Sequence, residues 1–312
     1  MAARPLAGRA LLIAGPTASG KSGLALALAE RLGGVIINAD SMQVYRELAI
    51  LTARPAAAEL ARLPHDLYGF LSGREAYSAG RYASDAAAAI ARARAQGRVP
   101  IVVGGTGLYF RALLEGLSPI PAADPQVRAY WRQQAASRPP QALHALLSER
   151  DPVMAARLAP SDPQRIVRAL EVLESTGRSL ADWQRQPGRP LLQAAQTLPL
   201  LLLPDAVGHA KAIEGRFDAM LREGALEEVR GLLALSLSRD LPIMRALGVA
   251  PLAAHLDGAL GLEAAAAAAT LATRQYAKRQ LTWFRRNMIA WKTFKMEEME
   301  KTTAKILAFI QA

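Results

Sequence analysis

Gly15-Pro16-Thr17-Ala18-Ser19-Gly20-Lys21-Ser22 satisfies the spacing G-x-x-x-x-G-K-[ST], a match that average composition yields in only about one chain in a hundred of this length. The chemistry it points to is the holding of a phosphate chain. Gly15 and Gly20 let the backbone N–H groups of the Thr17-Ala18-Ser19 turn approach oxyanions, and a helix N-terminus behind them adds further N–H groups. Lys21 supplies a point charge to the terminal phosphates, and the Ser22 hydroxyl is the expected protein ligand of Mg²⁺. Any diphosphate offers the same oxygens, so the motif leaves open whether the ligand is a nucleotide. No N-K-x-D tetrapeptide occurs, which argues against a GTPase. A kinase of a small metabolite and a transferase whose leaving group is pyrophosphate both remain.

Two further groups belong with that loop if they share its sheet edge. Asp40 and Ser41 follow the apolar run Val35–Ala39, and ligands of open α/β sheets bind at the carboxyl ends of strands. Val99–Val103 runs into Gly104-Gly105-Thr106-Gly107, where glycines admit a close ligand and Thr106 is the side chain offered to it. Asp40 is a candidate base and Thr106 a candidate hydrogen-bonding group. A helix N-cap at Asp40 or Ser41, and an ordinary glycine turn around Thr106, are the plain alternatives. Further on, Ala264 to Met296 contains no acidic residue but carries Arg274, Lys278, Arg279, Arg285, Arg286, Lys292 and Lys295. At helical period Arg274, Lys278 and Arg285 share one face, Arg279 and Arg286 flank it, and Tyr276 and Trp283 lie opposite. The basic rows face either a phosphate backbone or solvent alone; the rings are expected to pack on the core rather than stack on bases.

The elements that must position these groups follow from the apolar pattern. Ala10–Ala14, Val35–Ala39, Leu67–Leu71 and Val99–Val103 read as strands alternating with helical stretches, the signature of a parallel sheet flanked by helices. Leu24, Leu28 and Leu32 form one helical stripe ended by Gly33-Gly34. Residues 121–190 carry nine of the 19 prolines and no strand-like run, which predicts an all-helical insertion domain. Residues 1–120 and 191–312 then make the α/β core domain, with Pro199–Leu203 as a buried strand and everything from Lys211 onward helical.

Composition narrows the function. The 312 residues are 51% hydrophobic, enough for a packed core in about two domains. Lys and Arg number 38 against 27 Asp and Glu, and the net +11 suits a polyanionic partner. Absence of cysteine excludes disulfides, thiolate zinc sites and cysteine nucleophiles, and the four histidines show no metal-ligand spacing. Arg4 and Arg9 before Ala10–Ala14 give a faint likeness to a secretory leader, but the apolar stretch is too short. No run approaches the roughly 18 to 20 apolar residues of a membrane span, so a cytoplasmic protein without a membrane partner is expected.

These segments together resemble the bacterial tRNA dimethylallyltransferases, also called tRNA isopentenyltransferases. The likeness runs in order through GPTASGKS at 15–22, NADSMQVYR at 38–46, PIVVGGTGLYFRALLEGL at 100–117, DPQRIVRALEV at 162–172, RFDAML at 216–221 and TRQYAKRQLTWFR at 273–285. The resemblance implies a P-loop kinase-like core with a helical insert, binding dimethylallyl diphosphate rather than ATP in the phosphate loop. It implies transfer of the allyl group to N6 of the adenosine 3′-adjacent to the anticodon, in tRNAs reading codons that begin with U, by a monomeric enzyme. Asp40 then corresponds to the general base and Thr106 to a tRNA-contacting residue of the catalytic pocket. Lys21 and Mg²⁺ stabilise the departing pyrophosphate, with Arg216 either a further cation there or a structural ion pair. Asp40, Ser41, Met42 and Gln43 fall in tRNA-contacting stretches, as do Gln164, Arg165, Ile166, Val167 and Arg168. So do Arg245 and Gly248, and Lys278, Arg279, Gln280, Trp283 and Arg285; Arg128 is expected to grip the RNA beside Arg165 and Arg168. Prenylation of free AMP is the near alternative, against which the RNA-facing arginines argue. The chain departs from the family pattern at Leu51-Thr52-Ala53-Arg54-Pro55, where G-T-A-K-P is usual, at Gly248-Val249-Ala250, where G-Y-[KR] is common, and at His65-Asp66, where His-His is frequent.

Overall fold

The computed structural model describes Leu6 and Gly8–Gln311; Arg4 lies outside the described residues. In chain order β1 (Ala10–Ala14) leads to α1 (Lys21–Leu32), β2 (Gly34–Asn38), α2 (Ala57–Arg62), β3 (His65–Asp66), α3 (Ala79–Ala95), β4 (Val99–Gly104) and α4 (Gly107–Leu114). A run of helices follows: α5 (Pro125–Ser137), α6 (Pro140–Arg150), α7 (Pro152–Ala155), α8 (Pro163–Thr176) and α9 (Leu180–Gln184). The chain then makes β5 (Thr197–Leu203), α10 (Ala206–Arg222), α11 (Ala225–Ala234), α12 (Val249–Leu256), α13 (Leu262–Asn287), β6 (Lys292–Lys295) and α14 (Met299–Gln311).

Two compact units result, one up to Leu114 and again from Leu191, the other Glu115–Pro190. The larger unit holds one parallel sheet in the order β3-β2-β4-β1-β5-β6. Its central strands are apolar throughout because helices cover both faces. Side chains alternate along β1: Leu11 and Ile13 pack with Leu24 and Leu28 of α1 and Ile306 and Ile310 of α14. Ala10, Leu12 and Ala14 pack on the other face with Tyr82 of α3, Phe110 of α4 and Phe284 of α13. A third cluster joins α10, α11, α12 and the start of α13 to Val44, Tyr45, Leu48 and Leu51. The loop after Asp40 is thus anchored in a core of its own.

The smaller unit packs Trp131, Leu143, Leu147, Ile166 and Leu170 into a separate core. Its proline richness is helix punctuation: Pro125, Pro140, Pro152 and Pro163 each open a helix, where the missing N–H has no partner to lose. Asp124, Asp151 and Asp162 cap three of these helices by accepting backbone N–H groups.

Two sequence expectations are corrected. No strand spans Leu67–Leu71: extension is confined to the two residues before it, β3, because Leu67 (φ 64°) and Gly69 (φ 56°) take left-handed conformations, leaving Leu71 one isolated bridge to Tyr45. The stretch after Lys211 is not wholly helical, since Lys292–Lys295 adds a parallel edge strand beside β5. That strand is short, mostly exposed and half lysine, so it carries no apolar signal. No helix among the described residues is long and apolar enough to cross a membrane.

Candidate functional site

The phosphate loop leaves β1 at Gly15, where a Cβ would stand 2.8 Å from Ser19 Oγ and 3.0 Å from the Leu202 carbonyl of β5. Ala18 (φ 61°) and Gly20 (φ 81°) turn the backbone through left-handed conformations, aiming N–H groups into the loop's concave side. Gly20 caps α1 without any side-chain acceptor, so the first N–H groups of this twelve-residue helix keep their capacity for an anion. Ser19 is buried with its Oγ unpartnered. Lys21 folds back over the loop, its Nζ donating to the Pro16 carbonyl at 3.1 Å.

The loop carrying Asp40 is fixed from beneath. The Asn38 Oδ1 accepts the Asp40 N–H at 2.8 Å, while Asn38 Nδ2 donates to the Asp40 and Leu67 carbonyls. Asp40 Oδ1 accepts the Met42 N–H at 2.9 Å, which leaves Oδ2 for other work. Gly104 passes so close that a Cβ there would collide with the Ala39 backbone, and Thr106 N–H donates to the Ala39 carbonyl at 3.2 Å. The glycine that ends β4 therefore serves the approach of a neighbouring strand end, while Gly105 and Gly107 after it make room for Gln280 and Trp283 of α13.

Downstream elements close the site. Arg216 of α10 lies partly buried with Nη2 3.4 Å from the Thr52 carbonyl; burial lowers its pKa and the Asp40 charge raises it back in part. Burial pushes Lys21 down to about 8, Asp40 opposing the shift and Arg216 adding to it. Lys21, Asp40 and Arg216 thus share one electrostatic neighbourhood. Burial, then the Asp40 charge, also raises the Tyr276 hydroxyl pKa.

Two cavities meet at these groups. The larger, about 690 Å³, is walled by Thr17 to Gly23, including Ala18, Ser19, Gly20, Lys21 and Ser22, and by Asp40, Gln43 and Arg216. The smaller, about 330 Å³, takes Asp40, Ser41, Met42, Arg216, Arg245 and Arg279, together with Ile213, Phe217, Leu247 and Tyr276. Thr17, Asp40, Thr52, Arg216 and Met220 belong to both walls. A phosphate-holding cradle and a chamber with apolar and cationic walls therefore adjoin at one carboxylate.

The remaining expected site residues fall elsewhere. Thr106 borders neither cavity and bonds to Ser41 instead. Gly248 (φ 92°) caps α12 and packs on Leu51 and Phe217. Lys278, Arg279, Arg285 and Arg286 stand exposed on α13 with no ion pair among the described residues, whereas Arg274 is paired with Glu214. Trp283 lies against Gly107, where a Cβ would overlap its ring. Gln280, expected on the RNA face, is 5% exposed and bonded within the protein through both ends of its amide. In the smaller unit Gln164 and Arg165 are exposed, and Arg128 and Arg168 partly so. Arg165 and Arg168 pair along α8 with Asp162 and Glu171 at 3.3 and 3.6 Å. Ile166 and Val167 are buried in that unit's own core, so their side chains are not offered to RNA.

The departures from the expected pattern find local accounts. Leu51 is not in a left-handed conformation; it is buried against Gly248, and the turn is held by the Glu228 carboxylate, which accepts the N–H groups of Ala49, Ile50 and Leu51 at 2.6, 2.8 and 2.9 Å. His65 and Asp66 form β3, and Asp66 accepts from Arg92 at 2.6 Å. Val249 is buried at the start of α12. Sequence reasoning did not single out Glu228, or His209, whose Nε2 lies 2.7 Å from the Thr17 carbonyl. It placed Tyr276 on the core, whereas the ring walls the chamber beside Asp40. Only the fold brings these distant residues to the loops.

A protein-family model described as IPP transferase matches residues 43–287, and one described as Isopentenyl transferase matches residues 8–69. The chain is 55% identical to the tRNA dimethylallyltransferase of Parvibaculum lavamentivorans, with 97% of this chain and 96% of that one covered. Among solved structures it is similar to the tRNA isopentenylpyrophosphate transferase of Bacillus halodurans (TM-score 0.69, 34% identity, 97% of this chain and 95% of that one). It is also similar to a eukaryotic dimethylallyltransferase captured acting on tRNA (TM-score 0.79, 26% identity, 96% of this chain and 77% of that one).

Proposed function

The chain belongs to the IPP transferase family, whose model spans residues 43–287, and from that premise we propose that it transfers the dimethylallyl group of dimethylallyl diphosphate to N6 of the adenosine 3′-adjacent to the anticodon of tRNA. The observation that carries the reading is the junction of the two cavities at Asp40 and Arg216. On one side stand Lys21 and the loop N–H groups; on the other, apolar walls with Arg245, Tyr276 and Arg279.

The chemistry balances over these residues. The N6 lone pair forms a bond to the allylic carbon, the carbon–oxygen bond breaks with its electrons leaving on pyrophosphate, and the N6 proton passes to Asp40 Oδ2, since Oδ1 already holds Met42 N–H. An exocyclic adenine amine is a weak nucleophile, so removal of its proton as the bond forms lowers the barrier. Lys21, Arg216 and the loop N–H groups stabilise charge growing on the leaving diphosphate. Bringing N6 to Asp40 requires the base to leave its stack, and the chamber beside Asp40 gives it a destination.

The residues also fit Mg²⁺. Among the described residues no cluster of three or more His, Asp or Glu is ready to bind a metal, and Ser22 stands exposed on the wall of the larger cavity. The Ser22 hydroxyl stands beside the cradle that would hold a diphosphate, and a hard cation of this class takes one or two protein oxygens and completes its shell with phosphates and water. Ser22 is the residue that would hold it, and the ion when bound would add positive charge against the diphosphate.

The test is incubation of the protein with labelled dimethylallyl diphosphate and unmodified tRNA. Label is expected in tRNA and not in free AMP. Transfer to AMP alone, or ATP turnover without transfer, overturns the proposal.

A further inference from the structure

Gln280 sits on α13, one residue beyond the exposed pair Lys278 and Arg279, yet it points inward. Its Oε1 accepts the Thr17 N–H of the phosphate loop at 2.9 Å, and its Nε2 donates to the Gly105 carbonyl at 2.8 Å. The partners fix the amide's orientation, because a backbone N–H only donates and a carbonyl only accepts. Gly105 is glycine for this contact, since a Cβ there would overlap the Gln280 amide. His209 holds the neighbouring carbonyl of Thr17, so this loop residue is engaged through both its N–H and its C=O. Thr17 N–H is thereby withdrawn from the phosphate-binding set, and Ser19 N–H is engaged by the Pro16 carbonyl at 3.2 Å, which leaves the N–H groups of Ala18, Gly20 and the first turn of α1 to do that work.

Gly105 immediately precedes Thr106, whose hydroxyl accepts the Ser41 N–H beside Asp40. One side-chain amide therefore ties the diphosphate cradle to the strand end that steadies the Asp40 loop. We infer that Gln280 is a positioning residue that sets the cradle against the Asp40 loop, and that it is not a contact to RNA. The inference rests on the transfer reaction proposed above. Leucine or alanine at this position removes both bonds; an ionised glutamate keeps an acceptor for Thr17 N–H but has no donor for Gly105, so the two functions separate wherever its carboxyl has lost the proton.

The experiment compares wild type, Gln280→Leu and Gln280→Glu in steady-state transfer to tRNA, with tRNA Kd measured at fixed salt. Gln280→Leu is expected to raise KM for dimethylallyl diphosphate and to lower kcat/KM by about 10²-fold, the scale of an ångström-level misplacement of reacting groups. Gln280→Glu is expected to keep the donor KM within about threefold while kcat falls about tenfold, consistent with loss of one hydrogen bond. In both variants tRNA Kd stays within about twofold of wild type. Simple loss of folded protein scales the rate at unchanged donor KM, so a Gln280→Leu variant with wild-type KM overturns the inference. Weakened tRNA binding with unaltered donor kinetics overturns it too and makes Gln280 an RNA contact. If Gln280→Leu does not fold, the split between KM and kcat in Gln280→Glu decides alone. Wild type that does not prenylate tRNA at all defeats the parent proposal instead, so the two failures are distinct.

Discussion

The backbone N–H of Ser41 donates to the Thr106 hydroxyl oxygen at 3.0 Å, and the same hydroxyl lies 3.4 Å from Ser41 Oγ. Thr106 therefore acts on the strand end that presents Asp40 rather than from the cavity wall. Thr106→Val removes the acceptor while nearly preserving shape, and is expected to lower kcat about tenfold, the effect of one hydrogen bond. Thr106→Ser restores most of the rate. Equal kinetics for Val and Ser would remove the hydroxyl from the account.

Asp40→Asn tests the proton acceptor with little disturbance, because an asparagine Oδ1 still accepts Met42 N–H. Single-turnover transfer is expected to slow by about 10² to 10⁴, the usual range for loss of a general base. Binding of tRNA should persist. An unchanged single-turnover rate eliminates the assignment.

Lys21 brings a pH dependence. Its pKa is lowered to about 8, chiefly by burial, and a diphosphate binds the protonated form better. Donor KM is thus expected to be flat below that pH and to rise above it as the ammonium is lost. Lys21→Arg stays charged throughout and should abolish the rise, though its different shape raises KM at every pH. Donor KM measured from pH 6.5 to 9.5 checks both statements, and a flat wild-type profile contradicts the first.

Glu228 is the stability test. Its carboxylate accepts three consecutive N–H groups of the loop that lines both cavities. Glu228→Ala leaves those groups without their acceptor and is expected to cost about 2 to 3 kcal/mol in denaturant unfolding. A change below half a kcal/mol would show that water replaces the carboxylate without penalty.

On α13 the exposed Lys278 and Arg285 have no acidic partner among the described residues. Replacing both with alanine should weaken tRNA binding and reduce the slope of log affinity against log salt by about two charges' worth. An unaltered slope means they face only solvent.

What could be read from the sequence was local. The phosphate-loop spacing, the apolar runs of β1, β2 and β4, and Gly33 as a left-handed helix cap depend on neighbours a few residues away. The features that escaped depend on distant ones. Lys292–Lys295 becomes a strand only because β5 offers an open edge. Tyr276 and Trp283 share a helical face, yet one walls the chamber and the other packs at Gly107, since α13 crosses from one core cluster to another. Gln280 looks like another polar residue in a basic run, and its inward direction is set by two loops more than 170 residues away in the chain. The turn at Leu51 is held by Glu228 of α11, 177 residues away in the chain, a partner that no local spacing announces.

The strand order also governs the protein's synthesis. β1 is made well before one of its two neighbours in the sheet, β5, which begins only at Thr197. Until then the nascent chain carries a hydrophobic strand with an unsatisfied flank, the kind of edge that chaperones shield and that recruits other chains. Gly15 itself packs on the Leu202 carbonyl, so the anion-holding turn cannot mature before that late strand arrives. Folding of the catalytic unit is therefore a non-local and comparatively slow event, completed after the intervening helices have already been made.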